Sequence, residues 1–240
     1  MTLLFPRMRV AAGFLLGVCF ALAGCENEVL KPEPADTDYY PLQVGSYRVY
    51  RVEVKNYSNN VVTTSTLQRR ERVVDTYTNV SGALTYRLIR SVRPNATAAW
   101  QDDSVMTLTV KPTTVELSSN NRRTVELVFP AKNDVQWNRD VYNDRDTVIA
   151  KTRQYQAVGA AYTIGGQSYN RTITTVDPSP DTIFYRRSQR QIFAQGVGPV
   201  YREKRVLNYC QGTPGQNCQI GSGYVVIGEE RRETLIEYKP

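Results

Sequence analysis

The sequence predicts an all-β protein, either an antiparallel β-sandwich or an open, half-closed β-barrel. Three observations carry that expectation. Apolar and polar residues alternate with period two along most of the chain from Tyr39 onward, as they do on strands with one buried face. Clusters of turn-forming residues interrupt the alternation at short intervals, as in hairpin-connected strands. No amphipathic helical stripe extends beyond about two turns.

The first residues read as an address. Met1 to Arg9 carries Arg7 and Arg9 and no acid, and Val10 to Leu22 is an uncharged run, VAAGFLLGVCFAL. That run is about 20 Å long as a helix, short of a stable bilayer span. A basic start, a short apolar middle and small residues at its end describe a secretory signal peptide over residues 1–24. Leu22-Ala23-Gly24-Cys25 resembles the bacterial lipobox, which implies cleavage before Cys25 and acylation of its thiol. A plain signal peptide with a chance cysteine, or an uncleaved helix, is the competing reading. Cys19 lies within the apolar run and leaves with it. Acyl chains at Cys25 would hold the protein at a membrane surface.

Residues 25–38 read as the lipidated cysteine and a flexible tether, because ENEVLKPEPADTD combines two prolines and several acids with one lysine. Such a composition builds no core. Glu26-Asn27-Glu28 resembles, sparsely, the acidic surface-export signals of Bacteroidetes-type lipoproteins; a solvated tether explains it equally well.

From residue 39 to 240 the chain reads as one antiparallel β domain. Tyr50, Val52 and Val54 face one way while Arg51 and Glu53 face the other; Leu84, Tyr86 and Leu88 alternate likewise, as do Met106, Leu108 and Val110. Turns are expected at Tyr57–Asn60, Val80–Gly82, Lys111–Thr113, Ser118–Asn121, Ile164–Gly166 and Asp177–Pro180, from their Asn, Gly and Pro content. An echo links Tyr40-Pro41, followed by Tyr47 and Tyr50, to Phe129-Pro130, followed by Trp137 and Tyr142. Two similar β halves, 39–128 and 129–240, would account for it, and coincidence does so nearly as well.

The opening Asp38-Tyr39-Tyr40-Pro41-Leu42-Gln43-Val44-Gly45-Ser46-Tyr47-Arg48-Val49-Tyr50 resembles the start of a Bacteroidetes-type outer-envelope lipoprotein family. Ile192–Glu203, with Gly196-Val197-Gly198-Pro199-Val200, resembles that family's Gly-Val-Gly-x-Val closing strand, and Glu233–Tyr238 its terminal strand. The resemblance implies a structural frame and brings no activity with it. Gly196 and Gly198 are expected to permit a bend or close strand approach that a Cβ would block. They precede a strand rather than a helix, which argues against a phosphate loop.

The absence of histidine excludes an imidazole base, a Ser-His-Asp triad and a His-ligated zinc. Cys210 and Cys218 enclose Gln-Gly-Thr-Pro-Gly-Gln-Asn, a run of turn formers that suits a disulfide in an exported protein; free thiols are the alternative. Asp140, Asn143, Asp144 and Asp146 could be taken for a hard-cation cluster, but the spacing misses the EF-hand pattern and Arg145 intrudes, so a solvated turn is expected. Asp102 and Asp103 are too close in sequence to flank a glycosidic bond from one strand. The pairs Arg69-Arg70, Arg122-Arg123, Arg186-Arg187 and Arg231-Arg232 should split between strand faces, giving solvated faces with cross-strand ion pairs. Arginine and tyrosine on one face could instead hold sugars or anionic polymers.

The expectation is a non-catalytic lipoprotein, membrane-held through Cys25 at the cell envelope, at the periplasmic face of the outer membrane or at the surface. Its partner would be an envelope protein or a polysaccharide, with no cofactor, metal or nucleic acid. The alternative is a carrier sheltering an apolar or lipid ligand in a curved sheet. Ligand identity and oligomeric state are not legible.

Overall fold

The computed structural model describes residues 36–143, 152–178, 181–213, 215 and 217–240. Apart from a short 3-10 turn, Asp36–Tyr39, its regular elements are strands: β1 Tyr47–Ser58, β2 Val61–Thr78, β3 Leu84–Arg93, β4 Gln101–Val110, β5 Thr114–Ser119, β6 Arg122–Val128, β7 Gln136–Asn138, β8 Thr152–Ile164, β9 Gln167–Asp177, β10 Tyr185–Ala194, β11 Gly198–Tyr209 and β12 Val225–Lys239. The expected signal peptide, Cys25 and the first part of the tether lie outside the described residues. Among the described residues, no helix is long and apolar enough to cross a membrane.

The twelve strands form one antiparallel sheet in the order β6-β5-β4-β3-β2-β1-β12-β11-β10-β9-β8-β7. Each strand from β1 to β5 pairs with its successor, and so does each from β7 to β11. The two meanders join where β1 runs against β12, Tyr47 opposite Lys239 and Ser58 opposite Ile227. The sheet then curls until its outermost strands meet. Val125 of β6 donates its N–H to the Arg139 carbonyl just past β7 (2.9 Å), and the Trp137 indole N–H donates to the Val125 carbonyl (3.0 Å). The Tyr155 hydroxyl of β8 accepts from Val128 N (3.0 Å) and donates to Val128 O (2.7 Å). The all-β expectation therefore holds in its barrel form, nearly closed, with side chains completing the seam.

Local chemistry sets the hairpins. Asn59 and Asn60, Asn120 and Asn121, and Gly165 and Gly166 all adopt positive φ, as two-residue type I′ turns require at both central positions. Three of the expected turns are thus hairpins between consecutive strands. Asp177–Pro180 falls between β9 and β10, with Ser179 and Pro180 outside the described residues.

One end of the barrel is filled from within. Val73, Leu88, Met106, Leu108, Val115, Leu127, Tyr155, Ile173 and Phe193 form a buried cluster that also takes in Tyr39 and Tyr40. Those two tyrosines precede the first strand and plug the barrel; the Tyr40 ring lies 5.9 Å from that of Phe193. The expected tether runs slightly too far. Asp36–Asp38 already belong to the fold, since Asp36 accepts the Ala131 N–H (2.8 Å) and the Asp38 carbonyl accepts that of Gly196 (2.9 Å). Docking of the adjacent apolar rings immobilises a segment whose own composition is that of a linker.

The β8–β9 hairpin is bent. Ala157 and Gly159 have positive φ and the β8–β9 register shifts there, the signature of a bulge. Past the bend, Tyr162 and Tyr169 pack against the cluster that contains Ile192 and Ala194. A Cβ on Gly165 at the hairpin tip would sit 3.1 Å from Thr234 of β12. The hairpin tip therefore lies against β12 at Thr234, the residue opposite Arg51 of β1.

Candidate functional site

Strand register places a ring of charged side chains inside the barrel. Residues directly opposed on antiparallel strands project to the same face. Arg48 lies opposite Glu71, Tyr50 opposite Arg69 and Val52 opposite Glu233, and Glu71 lies opposite Arg90. Since Tyr50 and Val52 are fully buried, these arginines and glutamates face inward. Arg202 of β11 forks onto Glu71 (2.8 and 3.0 Å), reaches Glu233 (3.2 Å) and lies over the Tyr50 ring (4.9 Å). Arg69 also pairs with Glu233. On the other side, Arg153 of β8 joins Asp177 of β9 (2.6 Å) to Glu126 of β6 (2.7 Å). Gln191 of β10 adds a bond to Glu126 (3.1 Å), and Arg139 binds Asp177 (2.8 Å) and Gln189 (2.9 Å).

These groups are chemically quiet. Burial alone would push the Glu126 carboxyl up, but Arg153 beside it and the Thr124 hydroxyl hold it down at about 2. Glu71 follows the same logic: burial opposes ionisation, and Arg202 overrides it to leave the carboxyl below its usual range. Burial pushes Tyr40 up to about 12 and raises Tyr50 well above the ordinary phenol value. At neutral pH Glu71 and Glu126 are ionised and spent on arginines. A barrel of twelve strands is wider than apolar side chains readily fill, and paired arginines and carboxylates span the remainder.

The expected distribution of arginine is corrected in part. Adjacent pairs do split: Arg69 goes inward to Glu233 and Arg70 does not; Arg122 pairs with Asp140 and Arg123 with Glu116; Arg231 binds Glu233 and Arg232 binds Glu203. Arg186 meets Asp181 while Arg187 lies over Tyr185. Solvated faces are not the general destination, however, because Arg48, Arg69, Arg139 and Arg153 are buried. Charge is also not uniformly dispersed. Cross-strand register gathers Arg70, Arg72 and Arg93 on the outer face, where Arg70 and Arg93 stack over Trp100 at 4.7 and 4.2 Å.

The remaining candidates resolve as follows. Cys210 and Cys218 form a disulfide with Cα atoms 6.0 Å apart. Beside it lies a recess of about 300 Å³ lined by Asn59, Gly215, Asn217, Cys218, Tyr224 and Val226. Asp140 is buried rather than solvated, receiving Arg122 (2.6 Å) and Arg139 (3.4 Å), because the turn after β7 folds into the seam. Asn143 donates to the Arg123 carbonyl (2.6 Å); Asp144, Arg145 and Asp146 lie outside the described residues. Asp102 accepts the Ser91 hydroxyl (2.8 Å) and Asp103 that of Ser104 (3.3 Å), so the two acids do not converge. Among the described residues, no three His, Cys, Asp or Glu side chains cluster as metal ligands would. Gly198 serves the fold as expected, since its φ is +95° and a Cβ there would meet the Arg48 guanidinium at 2.8 Å.

Sequence reasoning missed Glu71, Glu126, Arg153 and Arg202, whose inward orientation depends on register across non-adjacent strands. It also missed Arg72, Arg93 and Trp100. The i, i+2 spacing of Arg70 and Arg72 was a legible signal for a shared face. No family model, no curated protein and no solved structure matches this chain.

Proposed function

We propose that this chain is an exported lipoprotein of the Bacteroidetes-type family it resembles, acylated at Cys25, which acts as a non-catalytic binding or assembly module at the cell envelope. The observation that carries the reading is the contrast between the two surfaces of the sheet. The apolar end of the interior is packed with the chain's own Tyr39 and Tyr40, and its charged belt is committed to internal pairs. The outer face of β1–β3 instead presents stacked arginines that no carboxylate satisfies. Recognition therefore belongs to the outside of the barrel. The carboxylates with depressed pKa are poor proton donors at neutral pH, which favours a binding role over acid–base catalysis. A carrier would use the interior space that Tyr39 and Tyr40 fill.

The test of anchoring is Triton phase partitioning of the expressed chain. The native protein should enter the detergent phase and Cys25→Ser the aqueous phase; unchanged partitioning defeats the anchoring claim. Affinity capture from solubilised envelopes then tests the binding role. An envelope partner should be recovered with the native chain, and recovery of none argues against a binding module.

A further inference from the structure

The outer face of β1–β3 differs from the rest of the barrel wall. On β11 and β12 the outward arginines are neutralised within the sheet: Arg205 and Arg232 both reach Glu203, and Arg205 also approaches Glu230. The β8–β9 hairpin tip lies against the same wall at Thr234. At the far end of β2 and β3 one ion pair does form, Arg87 with Asp75 (2.9 Å), but around Trp100 neither device operates. Arg51 lies opposite Gln68 and Tyr47 opposite Arg72; Arg93 lies opposite Gln68 and Arg70 opposite Ser91. These residues form one surface with Trp100, which leads into β4.

Among the described residues, Arg51, Arg70, Arg72 and Arg93 make no ion pair. Arg93 donates only to the neutral Gln68 side chain (2.7 Å). The Nε–H groups of Arg70 and Arg72 are buried without an acceptor. Burial and repulsion from Arg72 and Arg93 lower the proton affinity of Arg70, against the opposing pull of Asp102. Unpaired guanidinium donors held against one another are costly unless an anion joins them. Trp100 fixes two of the guanidinium planes by stacking, leaving their N–H edges for forked bonds to an oxyanion.

The geometry points to a binding site for an acidic polysaccharide on this face, with Arg70, Arg72 and Arg93 holding sugar-borne carboxylate or phosphate groups and Trp100 as their platform. The inference rests on the binding-module reading and names its ligand class. A protein interface of comparable strength centres on desolvated apolar anchors. Here Arg70 lies between Val49 and Ser91, and Arg72 between Tyr47 and Ile89; Val49 is already buried, so what the face presents at its centre is guanidinium rather than an open apolar anchor. Arg70 and Arg93 share the Trp100 ring, while Arg72 lies two residues along β2 and Arg51 on β1, so the cationic face extends beyond one pair of guanidiniums, as a polymer with repeated charges requires.

The experiment uses the full-length acylated chain in a neutral detergent and titrates it with hexameric galacturonate, maltohexaose and inorganic phosphate by calorimetry. Binding of the galacturonate oligomer, weakening as salt rises, with little or no binding of maltohexaose, is the expected result. Arg70→Gln combined with Arg93→Gln should weaken it by about tenfold or more, the loss of one to two charge-assisted contacts. Arg232→Gln, in the self-neutralised ladder, should leave it unchanged. Equal binding of maltohexaose, phosphate binding as tight as the oligomer, or an unaltered affinity in the double variant each overturns the inference. Envelope capture separates the two levels. If the double variant recovers the same partner as the native chain, the acidic-glycan site falls and the binding-module reading stands. If the native chain recovers nothing and binds no oligomer, both fall.

Discussion

The guanidinium of Arg48 occupies the space that a side chain at Gly198 would need. A Cβ built on Gly198 lies 2.8 Å from Arg48 Nη2, and Arg48 donates to the carbonyls of Val197 and Pro41, both at 2.7 Å. Arg48 also lies over the rings of Tyr40 (5.5 Å) and Tyr238 (5.2 Å). The conspicuous opening and closing segments of the sequence are therefore two sides of one contact, which pins the tyrosine plug to the β10–β11 turn.

That contact predicts coupling. Gly198→Ala imposes a Cβ on a backbone at φ +95° and against Arg48, and should cost about 1–3 kcal/mol. Arg48→Met, which keeps the stem and removes the donors, should cost a similar amount. The double variant should lose clearly less than the sum, by about 1 kcal/mol or more. Urea unfolding of the four proteins measures this, and strict additivity would refute the contact.

Stability should fall at both extremes of pH, for opposite reasons. The Glu126 carboxyl sits at about 2 in the folded state against 4.5 ordinarily, so its contribution is present above pH 4.5 and is lost as pH falls towards 2. Tyr40 sits at about 12 against 10.0. Its contribution is present below pH 10 and disappears as pH rises towards 12. Glu126→Gln should flatten the acid limb while lowering stability at pH 7 by about 3 kcal/mol, since Arg153 loses one of its two carboxylates. Denaturation midpoints collected from pH 2 to 12 decide the matter; an unchanged acid limb would count against the belt, and a flat alkaline limb against the buried Tyr40.

The seam depends on a hydroxyl. Tyr155→Phe leaves both the N–H and the carbonyl of Val128 without the partner they have now, at an expected cost of about 1–3 kcal/mol. Amide exchange should accelerate at Val128 and Val125 before it does at Val52 in the middle of the sheet. Uniform acceleration would mean that the seam is not a separate opening unit.

The disulfide should be local in effect. Reduction must add two protons to the intact mass and should lower stability by no more than about 2–3 kcal/mol, because the bridged loop is short. The far-UV strand signal should survive reduction; its loss would show that the 210–218 loop holds more than itself.

Fold class was legible because period two is a local property: Tyr50, Val52, Met106 and Leu108 announce their buried face within a few residues, and Asn59-Asn60 announces its hairpin. The disulfide was legible for the same reason. The interior belt was not. Glu71 and Arg202 are joined by a chord across the barrel between strands separated by β1 and β12, and nothing near either residue shows the other. Outward arginines such as Arg232 and inward ones such as Arg69 look alike in one dimension, because a charged residue at an inward position reads as a break in the pattern. The Arg70–Arg93 face was half legible, through the spacing of Arg70 and Arg72, while Trp100 reached it from a loop. The end of the tether was misjudged for a related reason: Asp36–Asp38 close a linker-like stretch, and only their tertiary contacts beside the docked Tyr39 and Tyr40 distinguish them from solvated chain.

The pairing of Tyr47 with Lys239 has a consequence for how the molecule comes into being. Synthesis delivers β1 first and β12 last, so for almost the entire production of the chain β1 is a bare edge, twelve residues long and carrying Tyr50, Val52 and Val54. Such an edge invites partners from other chains. Completion is all or nothing: a chain stopped short of Val225 loses a central stave of the barrel and not a trimming from its rim.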